Sequence, residues 1–72
     1  MFERLREIRA ERGVSAQTMA DLLGLETDGA YYKKENGSVK FSLAEAKIAA
    51  DFFGMSIESI FFANEVSKMD TL

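Results

Sequence analysis

The spacing of apolar residues along the chain predicts five short helices. Apolar side chains recur every three or four positions in residues 2–12 and again over Ala16–Leu23. Later apolar runs predict a third helix over residues 28–36, a fourth over Leu43–Phe53 and a short fifth that begins after Ser56. No run alternates between apolar and polar residues as a half-buried strand would. The predicted fold class is therefore all-α.

Residues that start and stop helices stand at the ends of these runs. Four glycines follow the runs directly, where a helix uses glycine for its left-handed C-terminal turn: Gly13, Gly24, Gly37 and Gly54. Four hydroxyl side chains precede the later runs and are expected to act as N-caps: Ser15, Thr27, Ser42 and Ser56. The stretch "SLAE" at residues 42–45 also matches the reciprocal serine and glutamate pattern of a capping box.

One small domain is expected from the 72 residues, with residues 1–62 as the folded part. The principal core candidates are Leu5, Ile8, Met19, Leu22, Tyr31, Leu43, Ile48, Phe53 and Ile60. Residues 63–72 lose the helical periodicity, so we expect them to form a short flexible tail.

The composition excludes most catalytic chemistry. The chain has no cysteine and no histidine, which rules out disulfides, thiolate nucleophiles, imidazole bases and the common zinc sites. The remaining acids are expected on solvated helix faces, and no glycine-rich phosphate loop is present. We therefore predict neither an enzyme nor a protein with a metal or cofactor.

Charge and hydropathy indicate where the protein works. The N-terminal stretch is charged throughout, unlike a secretory signal, and no run approaches the roughly 20 apolar residues of a membrane span. We expect a soluble cytoplasmic protein with no membrane partner and no small-molecule substrate. The net charge of -3 argues against a non-specific coat for nucleic acid but leaves local charged patches open.

Two short helices joined through "GLET" fit a helix-turn-helix, in which the second helix enters the major groove of DNA. Over residues 2–62, the segments "LREIRAERGVS", "MADLLGL", "YYKKENG" and "SLAEAKIAADFFGMSIESIF" resemble successive parts of the Cro and lambda-repressor type, or XRE-like, helix-turn-helix family. This resemblance implies a compact five-helix bundle and a role in transcriptional switching, often in bacteriophages.

The resemblance assigns several positions to the scaffold. Ala20 and Gly24 lie where the second helix packs closely against the third, and Tyr31 lies where the third helix faces the core. Arg9 and Glu35 occupy positions at which the family often joins the first and third helices by an ion pair. Glu35 is therefore interpreted as structural.

The same comparison implies a set of residues that contact DNA or a partner. Base edges and phosphates would be contacted by Thr27, Asp28, Gly29, Tyr32 and Lys33, with further phosphate contacts from Lys34 and Lys40. Gln17 lies one position after the place where the family usually has a phosphate-anchoring glutamine. Between Leu25 and Asn36 the chain is one residue longer than the common spacing of the family, and the extra residue is assigned to Glu26 in the turn.

Charge leaves two hypotheses open for this surface. Between Ser15 and Glu35 there are two lysines and four acids, a net charge of -2. In the first hypothesis, a homodimer binds double-stranded operator DNA, and the opening acids favour the helix dipole or accept a hydrogen bond from cytosine. It ranks first because most relatives with these segments bind DNA.

In the second hypothesis, the protein is an antirepressor, and Glu26 and Asp28 occupy the place of phosphate oxygens on the DNA-binding face of the cognate phage repressor. Its length and acidic balance are similar to those of the modulator-of-repression class of antirepressors of temperate lactococcal phages. Alternatively, the acids only cap and solvate the third helix. An antitoxin-like role is a more distant alternative.

Three aromatic residues have two interpretations each. Tyr31 and Tyr32 are adjacent and cannot both face the core, so Tyr32 either contacts a partner or covers the neighbouring helix. Phe61 and Phe62 either contribute to a homodimer interface at the fifth helix or close the small core.

Overall fold

The computed structural model describes residues 2–62, which contain five α-helices and no strand. The helices are α1 (Glu3–Glu11), α2 (Ala16–Leu23), α3 (Asp28–Glu35), α4 (Leu43–Phe53) and α5 (Ile57–Phe61). The predicted all-α fold class is confirmed, and each helix lies within two residues of its predicted bounds. The tail predicted for residues 63–72 lies outside the described residues.

The predicted N-caps are present at all four positions. Each hydroxyl accepts a hydrogen bond from the backbone amide three residues later, in the pairs Ser15–Thr18, Thr27–Ala30, Ser42–Glu45 and Ser56–Ser59. At the start of α4, the Glu45 side chain also accepts a hydrogen bond from the Ser42 amide, which completes the predicted capping box. These local bonds set where four of the five helices begin.

Glycines end α2 and α4 in the left-handed conformation. Gly24 has φ 74° and Gly54 has φ 68°, values that an L-residue with a side chain adopts only with strain. After each glycine, the next amide donates to a carbonyl five residues back, from Leu25 to Ala20 and from Met55 to Ala50. This closing bond turns the chain sharply, so α3 and α5 pack back against the helices that precede them.

The core forms between the five helices, with α2 packed against α3 and α4, and with α5 packed against α1 and α4. Six predicted core residues are buried: Leu5, Ile8, Met19, Tyr31, Phe53 and Ile60. Leu22 is partly buried and packs against them. The prediction is wrong for Leu43 and Ile48, whose side chains are 76% and 41% exposed. Small residues on α4, Ala46, Ala49 and Ala50, take the inner positions instead, which allows the neighbouring helices to approach closely.

An aromatic cluster of Phe2, Phe41 and Phe61 closes one end of the bundle. The three rings pack edge to face, with centroids 5.0 to 5.4 Å apart. The Phe2 amide also donates to the Glu35 carbonyl at 2.9 Å, which connects the N-terminal residues to the end of α3. The chain before α1 is therefore fixed to the helix that carries the candidate site.

Candidate functional site

The helix-turn-helix is formed by α2, a four-residue turn and α3. The α2 helix ends at Gly24, and Thr27 caps α3 after the turn. Ala20 and Tyr31 are both fully buried where the two helices pack together, as the resemblance implied. The opposite side of α3 is open to solvent. Its exposed residues are called the α3 face below: Glu26, Thr27, Asp28, Gly29, Tyr32 and Lys33.

A buried ion pair holds α3 against α1. The Arg9 guanidinium donates two hydrogen bonds to the Glu35 carboxylate, at 2.9 and 3.2 Å, and a third at 3.1 Å to the Val14 carbonyl. The Tyr31 hydroxyl donates to the same carboxylate at 2.7 Å. The predicted pairing of Arg9 with Glu35 is thus present, with Tyr31 as an additional donor.

The protonation states of this cluster are fixed by its environment. Burial, reinforced by the hydrogen bond to Glu35, raises the pKa of Tyr31 well above its ordinary value, so the phenol stays protonated. The hydrogen bond to Glu35 raises the pKa of Arg9 and outweighs the opposing effect of burial. Both groups therefore hold α3 in place and do not titrate near neutral pH.

A second ion pair engages one of the lysines assigned to phosphate contacts. The Lys34 ammonium lies 3.0 Å from Glu45 Oε1 and donates at 3.1 Å to the Lys40 carbonyl. Its side chain is only 11% exposed. Lys34 therefore joins the end of α3 to the start of α4, and we leave it out of the proposed contact set.

The electrostatics of Glu45 reflect its two roles. Burial would raise the pKa of its carboxyl, but the hydrogen bond from the Ser42 amide and the Lys34 ammonium together hold the pKa below its usual value. The carboxylate is therefore charged at neutral pH and both caps α4 and binds Lys34.

Six of the other predicted contact residues form the α3 face. Glu26, Thr27, Asp28, Gly29, Tyr32 and Lys33 are all exposed, and Lys40 is exposed in the loop before α4. The Thr27 hydroxyl is engaged by the cap of α3. Gln17 is exposed on α2 and donates at 2.9 Å to the Asp21 carboxylate. Asp21 was not among the predicted contacts, although its spacing of four residues from Gln17 is the signal for such a pair.

The balance of charge on this surface is acidic. With Glu35 and Lys34 held in internal ion pairs, residues 15–35 present the exposed acids Asp21, Glu26 and Asp28 and the exposed base Lys33, a net charge of -2. Tyr32 is 46% exposed, and the Arg9 guanidinium carbon lies 5.7 Å from its ring centroid. The α3 face therefore presents two carboxylates and the Tyr32 ring, which makes a cation–π contact with Arg9.

The two candidates for a homodimer interface differ in exposure. Phe61 belongs to the aromatic cluster and is partly buried, which matches the interpretation that it closes the core. Phe62 is 43% exposed. A homodimer contact through Phe62 stays a prediction.

Some kinds of site are absent from the described part of the chain. Within residues 2–62, no cluster of three or more carboxylate side chains could hold a metal ion. None of the five helices in this range has the length and apolar character needed to cross a membrane.

Comparison with known proteins gave one result. A family model described as helix-turn-helix matches residues 5–60, which is most of the chain. No significant match was found to a curated protein or to a solved structure. The matched range includes α2, the turn and α3, and hence the whole α3 face.

Proposed function

This chain belongs to the helix-turn-helix family, whose members are DNA-binding transcriptional regulators, and we propose that it acts in a phage-type genetic switch through its α3 face. The partner that we propose is the basic DNA-binding face of a repressor protein. By covering that face, the protein acts as an antirepressor and releases the operator.

The acidic character of the α3 face carries this proposal. Glu26 and Asp28 are exposed at the start of α3, where a helix that binds DNA would meet phosphate oxygens. Like charges brought close together oppose association, whereas arginine and lysine side chains that bind phosphate would pair with these carboxylates. The engagement of Lys34 by Glu45 strengthens the point, because it removes a cation from the same helix.

The rest of the surface suits a protein partner. Tyr32 is a half-exposed aromatic ring of the kind that often anchors a protein interface. Gly29, three residues earlier on the same helix, adds no side chain that would hinder the approach of a partner. The proposed contact set is Gln17, Glu26, Thr27, Asp28, Gly29, Tyr32, Lys33 and Lys40. The acidic balance of the chain, which is similar to that of small antirepressors of temperate lactococcal phages, supports the same interpretation.

Operator DNA is the second candidate partner. Lys33 and Lys40 are both exposed near the α3 face, and the N-terminus of α3 is open to solvent, where backbone amides favour phosphate. In that case the acids interact favourably with the helix dipole at the N-terminus of α3, or Asp28 accepts a hydrogen bond from cytosine. Two half-sites would require a homodimer.

A mobility-shift experiment with three components separates the two partners. The components are this protein, an operator duplex and the repressor encoded by the same genome. We expect this protein to release the duplex from the repressor and to shift no duplex by itself. A shift by this protein alone, weakening steeply as salt is raised, would instead support operator binding.

A further inference from the structure

The outward side of α4 carries exposed apolar side chains. Four residues of this helix are buried in the core: Ala46, Ala49, Ala50 and Phe53. On the opposite side, Ala44, Ile48 and Phe52 follow one another at intervals of four residues, which places them along one line of the helix, called the α4 stripe below. Ile48 and Phe52 are 41% and 45% exposed. Because contact of such side chains with water is unfavourable, the α4 stripe is suited to association.

Two opposite charges lie along one edge of the α4 stripe. Lys47 and Asp51 each come one position before a large apolar residue of the stripe. Lys47 Nζ lies 3.6 Å from Asp51 Oδ2, and the two side chains are 70% and 68% exposed. An exposed pair of this kind contributes little to the stability of its own helix. Most of the surface of both side chains is therefore open to contacts with a partner.

The order of these two charges is self-complementary when two copies of α4 pack antiparallel. Two-fold symmetry brings the same edge of both helices together and reverses the direction of the second helix. When the two helices cross level with Ala49, each Lys47 lies opposite Asp51 of the other copy. Each Ile48 then lies within about 3 Å, measured along the helix axis, of Ile48 and Phe52 of the other copy. A parallel pair would instead place like charges at the same height.

We propose that the α4 stripe is a homodimer interface, at which a second copy of the chain packs antiparallel. The charge pattern of Lys47 and Asp51 selects this partner, because it matches itself only in this orientation. The interface lies on α4, outside the helix-turn-helix, so it does not depend on the partner of the α3 face. It also differs from the predicted contact through Phe62. Two large apolar side chains and a charged edge form a small interface, so the dimer is weak and dissociates on dilution.

Sedimentation equilibrium of the full chain, from micromolar to millimolar concentration, tests the proposal. We expect a monomer–dimer equilibrium in the parent and dimerisation weaker by about tenfold or more in Ile48→Ser. Phe62→Ser is the matched control, because it removes an apolar side chain of similar exposure, 43%, outside α4. It should keep parental dimerisation. A parent that stays monomeric throughout, or a dimer that is lost in Phe62→Ser and kept in Ile48→Ser, would overturn the proposal.

Exchange of the two charges gives a second readout that leaves the α4 stripe intact. Lys47→Asp and Asp51→Lys each place like charges opposite one another, so each variant alone should dimerise more weakly than the parent. An equimolar mixture of the two should form heterodimers, because an edge with two acids then meets an edge with two bases. Circular dichroism checks that both variants keep their helicity. Single variants that dimerise like the parent, or a mixture that associates no better than either variant alone, would overturn the proposal.

Discussion

The Lys34 ammonium lies 3.0 Å from the Glu45 carboxylate and joins the end of α3 to the start of α4. The same carboxylate oxygen accepts a hydrogen bond from the Ser42 amide at 2.9 Å. The Glu45 side chain thus both caps α4 and binds Lys34, a lysine of the helix-turn-helix that would otherwise be free to contact a partner. The pair has both a structural effect and an effect on the charge available to a partner.

Replacing each of the two adjacent lysines separates these effects. Lys34→Met keeps the apolar stem but removes the bond to Glu45, so we expect the free energy of unfolding to fall by about 1 to 2 kcal/mol. Lys33→Met changes an exposed side chain and should leave stability within about 0.5 kcal/mol of the parent. Urea unfolding measures both. Parental stability in Lys34→Met, together with altered partner affinity, would return Lys34 to the contact set.

The depressed pKa of Glu45 makes stability depend on pH in the acid range. A carboxyl group whose pKa is lower in the folded state contributes stability above its ordinary pKa and loses that contribution as pH falls through the folded value. We therefore expect the urea midpoint of the parent to decrease as the pH is lowered below about 4.5. This decrease should be steeper than that of Glu45→Gln. Glu7→Gln, at an exposed position on α1, is the matched control. Identical pH profiles for the parent and Glu45→Gln would contradict this role.

Features fixed by local chemistry were predictable from the sequence. The four N-caps and the glycines that end α2 and α4 depend on residues within a few positions of each other, so their signals are visible in a short stretch. The bond between Lys34 and Glu45 joins residues eleven positions apart, and no local pattern indicates it. The Arg9–Glu35 pair, at a separation of 26, was accessible only through the family resemblance.

The inner face of α4 was not predictable from its pattern. The helix has apolar residues on nearly every side, so periodicity alone does not define one buried stripe. Large residues were favoured as core candidates, but alanines lie inside, and Ile48 faces outward. Which side faces inward depends on how closely the other helices approach, and the sequence of α4 does not encode this alone.

Two substitutions to alanine test the assignment of inner and outer positions. Met19 is fully buried, so Met19→Ala should lower the free energy of unfolding by about 2 to 5 kcal/mol. Ile48→Ala, at a position that is 41% exposed, should cost less than about 1 kcal/mol. Thermal and urea unfolding measure the difference. A larger loss in Ile48→Ala than in Met19→Ala would reverse the assignment.

A substitution at Gly29 tests whether the partner packs closely against the α3 face. Its backbone is helical, and an added Cβ would meet nothing nearer than the Thr27 hydroxyl oxygen at 3.8 Å. Because alanine is the better helix former, Gly29→Ala should raise stability by up to about 1 kcal/mol. If the partner packs directly on this helix, the same methyl group should weaken binding. The gain in stability excludes misfolding as the cause, and undiminished affinity would place the partner's contacts elsewhere.

The two acids at the start of α3 distinguish the proposed partners. Glu26→Gln with Asp28→Asn keeps the shape of the face and removes two negative charges. Glu7→Gln with Glu58→Gln is the control, because it makes the same change in net charge on α1 and α5, outside the helix-turn-helix. Both double variants should fold like the parent, since all four side chains are exposed.

The most direct measurement is the affinity of these proteins for the repressor and for an operator duplex, at low and at high salt. We expect Glu26→Gln with Asp28→Asn to bind the repressor more weakly by about 2 kcal/mol, roughly thirtyfold, with a smaller difference in high salt. The control should keep parental affinity. Unchanged repressor affinity, together with tighter binding to the duplex, would contradict antirepressor action through the α3 face.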